Sequence, residues 1–413
     1  MRVLAISCAL AACACGSSGR PGSRPHALEP VSGEPLQQIA APDRPMPQVA
    51  APPATSAAIA ASAAIATSAA RAPSCGPGWS LELLPPEPPV GIDQVRVRPG
   101  GAWRVVTIAN PVPNAPARHF DRPITEHWAA VDLDGTVVFT GYWKGNPDQA
   151  HNIGLGIYRL AGDRAVPLVD SFTVMPDTRQ RFNAVGLPSI ERGKIAFWGG
   201  RDGGGPSGLY LYHDRKVTPI AGANDAVRGG GTPSMNGGSI AFQGQEGAVA
   251  GVYVWTPRGG VVRAFRVGDA GITQLFSVAL GDGVVFAGTG MALHDHRQIV
   301  AWSGGAPWVI AAGDDFRDPT GAVMYLAPEP VAHGTRVAFT VGLGRYSEVW
   351  VADARAGAPC KLERVAASGD ALGTSRLEMI AGLSRDAFTV DGRLLLTVVL
   401  DGQPARLVRA TRR

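Results

Sequence analysis

The chain has 413 residues, of which 17% are charged, and it is rich in glycine (53) and proline (34). Few charges combined with many glycines disfavour charged amphipathic helices and are typical of short strands joined by tight turns. The formal net charge is only +4. No run of basic residues interleaved with aromatics occurs, so the composition argues against nucleic acid as a partner.

The N-terminus has the layout of an export signal. Arg2 precedes an apolar run over residues 3–10 that is too short to cross a bilayer. The letters LAAC, ending at Cys13, resemble the lipobox of bacterial lipoproteins, in which the thiol takes a diacylglyceryl group. The resemblance implies a signal peptide over residues 1–12, lipidation of Cys13, and attachment to a membrane through that lipid. Ala14, where Asp would retain the protein at the inner membrane, implies an outer-membrane lipoprotein of the cell envelope. An ordinary cleaved secretory peptide is the alternative.

Residues 13–74 are predicted to be a disordered tether, because proline recurs there among alanine, serine and glycine without hydrophobic periodicity. The alanine-rich stretch 54–70 favours at most a transient helix. The folded domain is therefore expected over residues 75–413.

Beyond residue 95 an apolar triplet recurs every 44 to 58 residues, which is the size of a propeller blade. The triplets are Val137-Val138-Phe139, Ile195-Ala196-Phe197, Ile240-Ala241-Phe242, Val284-Val285-Phe286, Val337-Ala338-Phe339 and Leu394-Leu395-Leu396. A glycine turn precedes each triplet, and an aromatic or aliphatic strand follows it, as at Gly156-Ile157-Tyr158. With the strands before and after, each repeat has four strands, A to D.

The sixth repeat ends before a fourth strand. The segment Trp103–Asn110 resembles the other D strands, so it is expected to complete the last blade. The sequence thus predicts an all-β protein, a propeller of six four-stranded blades closed by an N-terminal strand. A strand at Gln94–Arg98 leaves open a two-plus-two closure or a partial seventh blade. A pair of β-sandwiches and an open solenoid are the alternative folds.

The repeat resembles that of secreted bacterial proteins with tandem propeller repeats and no assigned activity, which share a G-x-(I/V)-A-F core and a G-(I/V/L)-Y strand. The resemblance extends over Gln94–Arg413. Because the shared motifs are structural, it implies a lipoprotein with a propeller domain but transfers no catalytic residue and no ligand.

The B–C and D–A connections share one end of a propeller, called here the loop face, and they are the longer ones in this sequence. Long loops on a rigid scaffold are where binding residues concentrate. The candidate ligand-binding residues on this face are Arg118, His119, Asp121, His151, His294, Asp295 and His296.

The pair His294 and His296, with Asp295, could hold a divalent metal if blade 1 supplies a third ligand. A solvated loop is the alternative. Arg118 could bind an anionic or sugar ligand through its guanidinium, or could simply form a salt bridge. Acidic residues also end most D strands, where they could bind Ca²⁺ or cap turns: Asp170, Asp225, Asp269, Asp314 and Asp370.

No linear signature of a hydrolase, metalloprotease or nucleotide-binding enzyme occurs, and no cofactor is predicted. The expected function is a binding module for protein or glycan on the cell envelope. The alternative is an extracytoplasmic polysaccharide lyase or glycoside hydrolase.

We predict that Cys13 carries the lipid. Mass spectrometry of the membrane-extracted protein should show an acylated N-terminus at Cys13, and the variant Cys13→Ser should lose its membrane association. A mature chain that begins elsewhere and is released without detergent would contradict the prediction.

We also predict a disulfide between Cys75 and Cys360, the only cysteines after Cys15, because export leads to an oxidising compartment. The alternative is two unrelated thiols. The bridge would close a loop of about 285 residues and stabilise the protein by about 5–6 kcal/mol in the chain-entropy model. Thiol titration of the unfolded, unreduced protein should find neither cysteine reactive, and two free thiols would exclude the bridge.

Overall fold

The structure is a computed structural model that describes residues 78–98, 102–110, 112–115, 118–125, 128–144, 153–201, 207–291, 297–355 and 362–413. Within these ranges the chain is β-structure apart from two one-turn 3₁₀ helices, at Asp269–Gly271 and Gly313–Asp315. None of the helices in these ranges is long and apolar enough to cross a membrane. Cys13, Cys75, Cys360 and the predicted tether lie outside the described residues.

The strands, numbered in chain order, are β1 (Trp79–Leu83), β2 (Gln94–Val97), β3 (Arg104–Thr107), β4 (Ala129–Val131), β5 (Val137–Lys144), β6 (Ile153–Ala161), β7 (Arg164–Asp170), β8 (Ala184–Val185), β9 (Ser189–Glu191), β10 (Lys194–Gly200), β11 (Ser207–His213), β12 (Lys216–Ala221), β13 (Val227–Asn236), β14 (Ser239–Glu246), β15 (Val249–Thr256), β16 (Gly260–Arg266), β17 (Ile272–Leu280), β18 (Val285–Met291), β19 (Arg297–Trp302), β20 (Trp308–Ala312), β21 (Tyr325–Leu326), β22 (Val331–His333), β23 (Arg336–Leu343), β24 (Tyr346–Asp353), β25 (Leu362–Ala367), β26 (Ala371–Leu372), β27 (Ser375–Gly382), β28 (Leu394–Leu400) and β29 (Arg406–Arg412).

These strands form six antiparallel blades, each a meander of consecutive strands, as predicted. Blade I comprises β4–β7, blade II β8–β12, blade III β13–β16, blade IV β17–β20, blade V β21–β25 and blade VI β26–β29 together with β1. The inner strand is in two pieces in blades II and V. All six predicted apolar triplets are buried, in the strand that follows the inner strand of their blade or, for Val284, directly before it. The all-β propeller fold is therefore confirmed.

A cross-strand aromatic pair fills the centre of blades I to III. The rings of Phe139 and Tyr158 stack at 5.6 Å and 25°, and the equivalent pairs in blades II and III repeat this geometry. In blade I a third ring, Phe120, packs edge-on at 5.3 Å from Tyr158. It lies so close to Gly141 that an added Cβ there would be 2.3 Å from a ring carbon. Only glycine fits at that position, and the D–A segment that carries Phe120 is thereby anchored to the blade.

The ring is closed by an N-terminal strand, as predicted. β1 pairs with β29 from Trp79 opposite Arg412 to Leu83 opposite Val408, and so becomes the outermost strand of blade VI. Trp79 and Leu81 pack against the apolar core shared by blades V and VI. The fourth strand of the last blade is thus supplied from the opposite end of the chain, which leaves β29 with no free edge.

The predicted identity of the closing strand, Trp103–Asn110, is wrong. Its central part is β3, which pairs with β2 in a separate two-stranded sheet, called here the ribbon. Its end is fixed to blade I, because the Asn110 side chain donates to the carbonyl of Ala165 (3.0 Å) and accepts from its N–H (2.9 Å). The resemblance to a D strand reflects a common strand pattern and not a common partner.

The ribbon occupies the position of an incomplete seventh blade, the alternative that the sequence left open. On one side, Val95 and Val97 are buried in the core of blade I. On the other side, Trp103 packs against Leu395 and Leu407 of blade VI. The ring therefore passes from blade VI through the ribbon to blade I.

Turns at the end opposite the loop face hold neighbouring blades together. The buried carboxylate of Asp132, in the first turn of blade I, accepts the N–H groups of Arg192 and Gly193 in the first turn of blade II at 2.9 and 2.7 Å. Glu191 of blade II accepts the N–H groups of Gly237 and Gly238 of blade III at 2.9 and 2.8 Å. Charge-assisted bonds of this kind fix the register between blades.

We predict that the variant Glu82→Pro destabilises the fold more than Leu83→Pro. Along an antiparallel ladder, every second residue directs its N–H at the partner strand. The Leu84 N–H donates to Leu407 O. The Glu82 N–H therefore also points at β29, whereas the Leu83 N–H points away from it. Proline at position 82 therefore removes a ladder bond, at a cost of about 1–3 kcal/mol. Both side chains are exposed, so Leu83→Pro is a matched control. Equal melting temperatures for the two variants would contradict the closing role of β1.

Candidate functional site

The two ends of the propeller differ in their side chains as well as in their loops. Exposed large apolar residues in the connections of the loop face are Phe172, Val174, Val249, Val323, Tyr325 and Leu343, whereas Leu133 and Val390 are those on the opposite end. Phe172 partly covers the buried Trp143, with ring centroids 6.3 Å apart. The loop face thus presents most of the apolar surface of the described connections.

An arginine lies between two aromatic rings at the inner edge of the loop face. The guanidinium carbon of Arg297 is 4.6 Å from the ring centroid of Phe276 and 4.1 Å from that of Tyr325. Phe276 belongs to blade IV and Tyr325 to blade V, so the contact bridges two blades. Two cation–π contacts restrict the orientation of the guanidinium. Tyr325 is nevertheless 45% exposed, which leaves part of its ring open to a ligand.

The candidates on the segment before blade I form local ion pairs. His119 is exposed, and its Nδ1 pairs with the Asp93 carboxylate, which also accepts the Phe120 N–H at 3.0 Å. Asp121 pairs with Lys144 at 3.1 Å. Arg118 is exposed, and its backbone N–H donates to Ala115 O at 2.8 Å. These contacts anchor the segment to its neighbours, and they do not assemble the three candidates into one cluster.

The remaining candidates, His151, His294, Asp295 and His296, lie outside the described residues. In the described ranges no group of three or more His, Cys, Asp or Glu side chains is arranged to hold a metal ion. The strand-end acids cap turns there, which was one of the two interpretations. Each of three such carboxylates accepts the N–H of the residue three positions earlier, at 2.7 to 2.9 Å: Asp225, Asp269 and Asp370. In blade IV the equivalent bond goes to Asp315 rather than Asp314.

The inner strands deviate from regular pairing midway along the channel. A bulge or interruption lies near Pro188 in blade II, Pro233 in blade III, Phe276 in blade IV and Glu329 in blade V. In blade VI the connection between β27 and β28 makes the corresponding excursion at Ser384–Asp386. Bulges turn backbone carbonyls and side chains out of the ladder, and here they direct them towards the axis of the ring.

Arg385 spans the channel at this level. Its Nη1 and Nη2 donate to the carbonyls of Pro188 (3.3 Å) and Pro233 (2.9 Å), which belong to blades II and III on the opposite side of the ring. Burial lowers the pKa of Arg385 to about 10, an effect that the neighbouring Asp386 offsets only in part. The guanidinium still carries its charge at neutral pH. Its two bonds are partly buried, although the residue as a whole is exposed.

A second arginine meets the same excursion. Arg98, whose side chain is only 2% exposed, follows β2 and donates through Nη2 to the Ser384 hydroxyl and to Asp386 Oδ1 (3.3 Å). This contact links the ribbon to blade VI. Sequence reasoning did not single out Arg98, Arg385 or the Arg297 stack. A run of two charged residues at 385–386, in the repeat position where blades II and III have Leu187-Pro188 and Thr232-Pro233, is the signal that marks Arg385.

No protein-family model and no curated protein matches the chain. Solved structures similar in fold include Pyrococcus horikoshii acylaminoacyl peptidase (9% identity, TM-score 0.41, 64% of this chain and 40% of that one). A second is the β-propeller domain of the Trilobed protease from Pyrococcus furiosus (10% identity, TM-score 0.33, 64% of this chain and 86% of that one). A third is the Dos1 propeller (12% identity, TM-score 0.37, 75% of this chain and 73% of that one). The chain spans less than half the length of the acylaminoacyl peptidase. Similarity at this level shows the propeller fold alone.

Proposed function

We propose that the protein is a cell-envelope lipoprotein whose propeller binds a protein or glycan ligand on the loop face. The observation that carries the proposal is the apolar surface gathered there, in loops held by rigid blades. Exposed apolar patches on soluble domains mark interaction sites. Aromatic and arginine side chains supply much of the binding energy at such sites.

The stack of Phe276, Arg297 and Tyr325 is the proposed centre of this surface. Its rings and guanidinium are held by contacts between blades IV and V, so a ligand would meet them already ordered. Preorganised side chains reduce the entropy cost of association. An exposed tyrosine ring suits either the face of a sugar or an apolar side chain of a protein.

The lipid at Cys13 would attach this surface to the outer membrane, so the ligand is proposed to lie in the periplasm or at the cell surface. Neither a cofactor nor nucleic acid enters the proposal. Three carboxylates are buried in the described residues, Asp132, Asp170 and Glu348. Each accepts structural hydrogen bonds, from turn N–H groups or, for Glu348, from Tyr346 and Trp350. No observation in these ranges favours the lyase or hydrolase alternative.

We expect a photo-crosslinking residue at position 325 to capture the ligand in cells, while one at position 309 does not. Val309 lies on the outer strand of blade IV and is 48% exposed, close to the 45% of Tyr325, so the two positions differ in location and not in accessibility. Adducts of equal yield at both positions, or only at 309, would contradict the proposal.

A glycan array distinguishes the two ligand classes. If the ligand is a glycan, Tyr325→Ala should weaken binding to the array hits by about tenfold or more, as for an aromatic hot spot, and Val309→Ala should leave it unchanged. If the ligand is a protein, the array should be negative and the crosslinked adduct should contain a second polypeptide.

A further inference from the structure

The channel contains a cation, Arg385, whose charge the neighbouring Asp386 offsets only in part. Arg385 donates to two neutral carbonyls, and among the described residues no carboxylate lies within ion-pair distance of it. The nearest acidic neighbour in sequence, Asp386, is paired with Arg98 at 3.3 Å. Arg98 and Arg385 are positive and Asp386 is negative, so the three groups together carry one positive charge.

An uncompensated charge inside a protein is costly, and such charges are normally paired. The lowered pKa of Arg385 expresses that cost for its charged form. The carbonyls of Pro188 and Pro233, on the neighbouring blades II and III, each accept a bond from one Nη atom of Arg385. The two bonds together fix the orientation of the guanidinium. Arg385 is nevertheless exposed, so a small solute can reach it.

We propose that Arg385 is the receptor for a single carboxylate group inside the channel. The residual charge matches a monoanion, and a planar guanidinium binds the planar carboxylate with directed N–H bonds. The protein around the channel lowers the local dielectric and strengthens this attraction relative to bulk water. The residues of this site, Arg385 with Pro188 and Pro233, are not those of the Phe276, Arg297 and Tyr325 stack, so the proposal stands whether or not the Tyr325 surface binds the proposed ligand.

The inner strand of blade V also carries an acidic residue at its interruption. Glu329, on the bulge of blade V next to blade VI, is exposed and makes no ion pair within 4.0 Å in the described ranges. Its carboxylate can only oppose the entry of an anion. Removing its charge should therefore leave carboxylate binding equal or tighter.

The test compares glucuronate with glucose, which share a ring and differ in the carboxylate, with acetate as the smallest probe. Isothermal titration of the full-length protein in a carboxylate-free buffer should show binding of glucuronate and acetate and none of glucose. The variant Arg385→Gln should weaken glucuronate binding by about tenfold or more, since hydrogen bonds to charged groups are the strong ones. Arg385→Lys keeps the charge and should keep the preference for glucuronate over glucose.

Equal binding of glucuronate and glucose by the wild type would overturn the proposal without any variant, as would an Arg385→Gln protein that folds and binds glucuronate like the wild type. If Arg385→Gln does not fold, glucuronate titration of the variant Glu329→Gln tests the proposal instead. Weaker glucuronate binding in that variant would place the carboxylate away from the channel and refute the site. Tyr325→Ala should bind glucuronate unchanged, which separates failure of this site from failure of the loop-face proposal.

Discussion

The ring depends on one ladder, the pairing of Trp79–Leu83 with Arg406–Arg412. Each of the other blades is a meander whose strands are neighbours in sequence and pair through short connections. Blade VI alone requires two segments more than 300 residues apart to meet, and the loop-closure entropy of that contact must be offset by the ladder and by the packing of Trp79 and Leu81. With β1 in place, the segment that follows it is led across blade VI to the ribbon, and the ribbon brings Arg98 to the channel.

The repeat was predictable because the residues that define it lie close together in sequence. A glycine turn, an apolar triplet and an aromatic strand are adjacent in sequence, and each of the triplets is buried where the pattern requires. The closing strand was not predictable in the same way. The segment Trp79–Leu83 is short and is followed by prolines, whereas Trp103–Asn110 has a stronger strand pattern. Strand pattern tells whether a segment pairs but not with which partner, and here the partner is decided by ring geometry.

The candidate site shows the same difference between what local sequence indicates and what contacts between distant segments determine. His119 and Asp121 have the residue types of a ligand site, but they serve to fix the segment around Phe120. The acidic side chains at the other end, Asp132 and Glu191, accept turn N–H groups of the next blade. Arg297 was not singled out, and Arg385 is marked only by the charged pair at 385–386, because the contacts that define these two residues join segments distant in sequence. Residue type alone drew attention to Arg118, whereas Arg297 and Arg385 are identified by contacts between repeats that are distant in sequence.

The reach of Arg385 also shows how many positions the ring has. From blade VI, three steps through the ribbon and blade I lead to blade II, and three steps through blades V and IV lead to blade III. Blades II and III are thus equally far from blade VI only if the ribbon counts as a full position. A six-position ring would place blade III alone opposite Arg385. The guanidinium instead donates to both Pro188 and Pro233. The two-stranded ribbon therefore counts as a seventh position of the ring, and with seven positions the guanidinium of blade VI faces the gap between blades II and III.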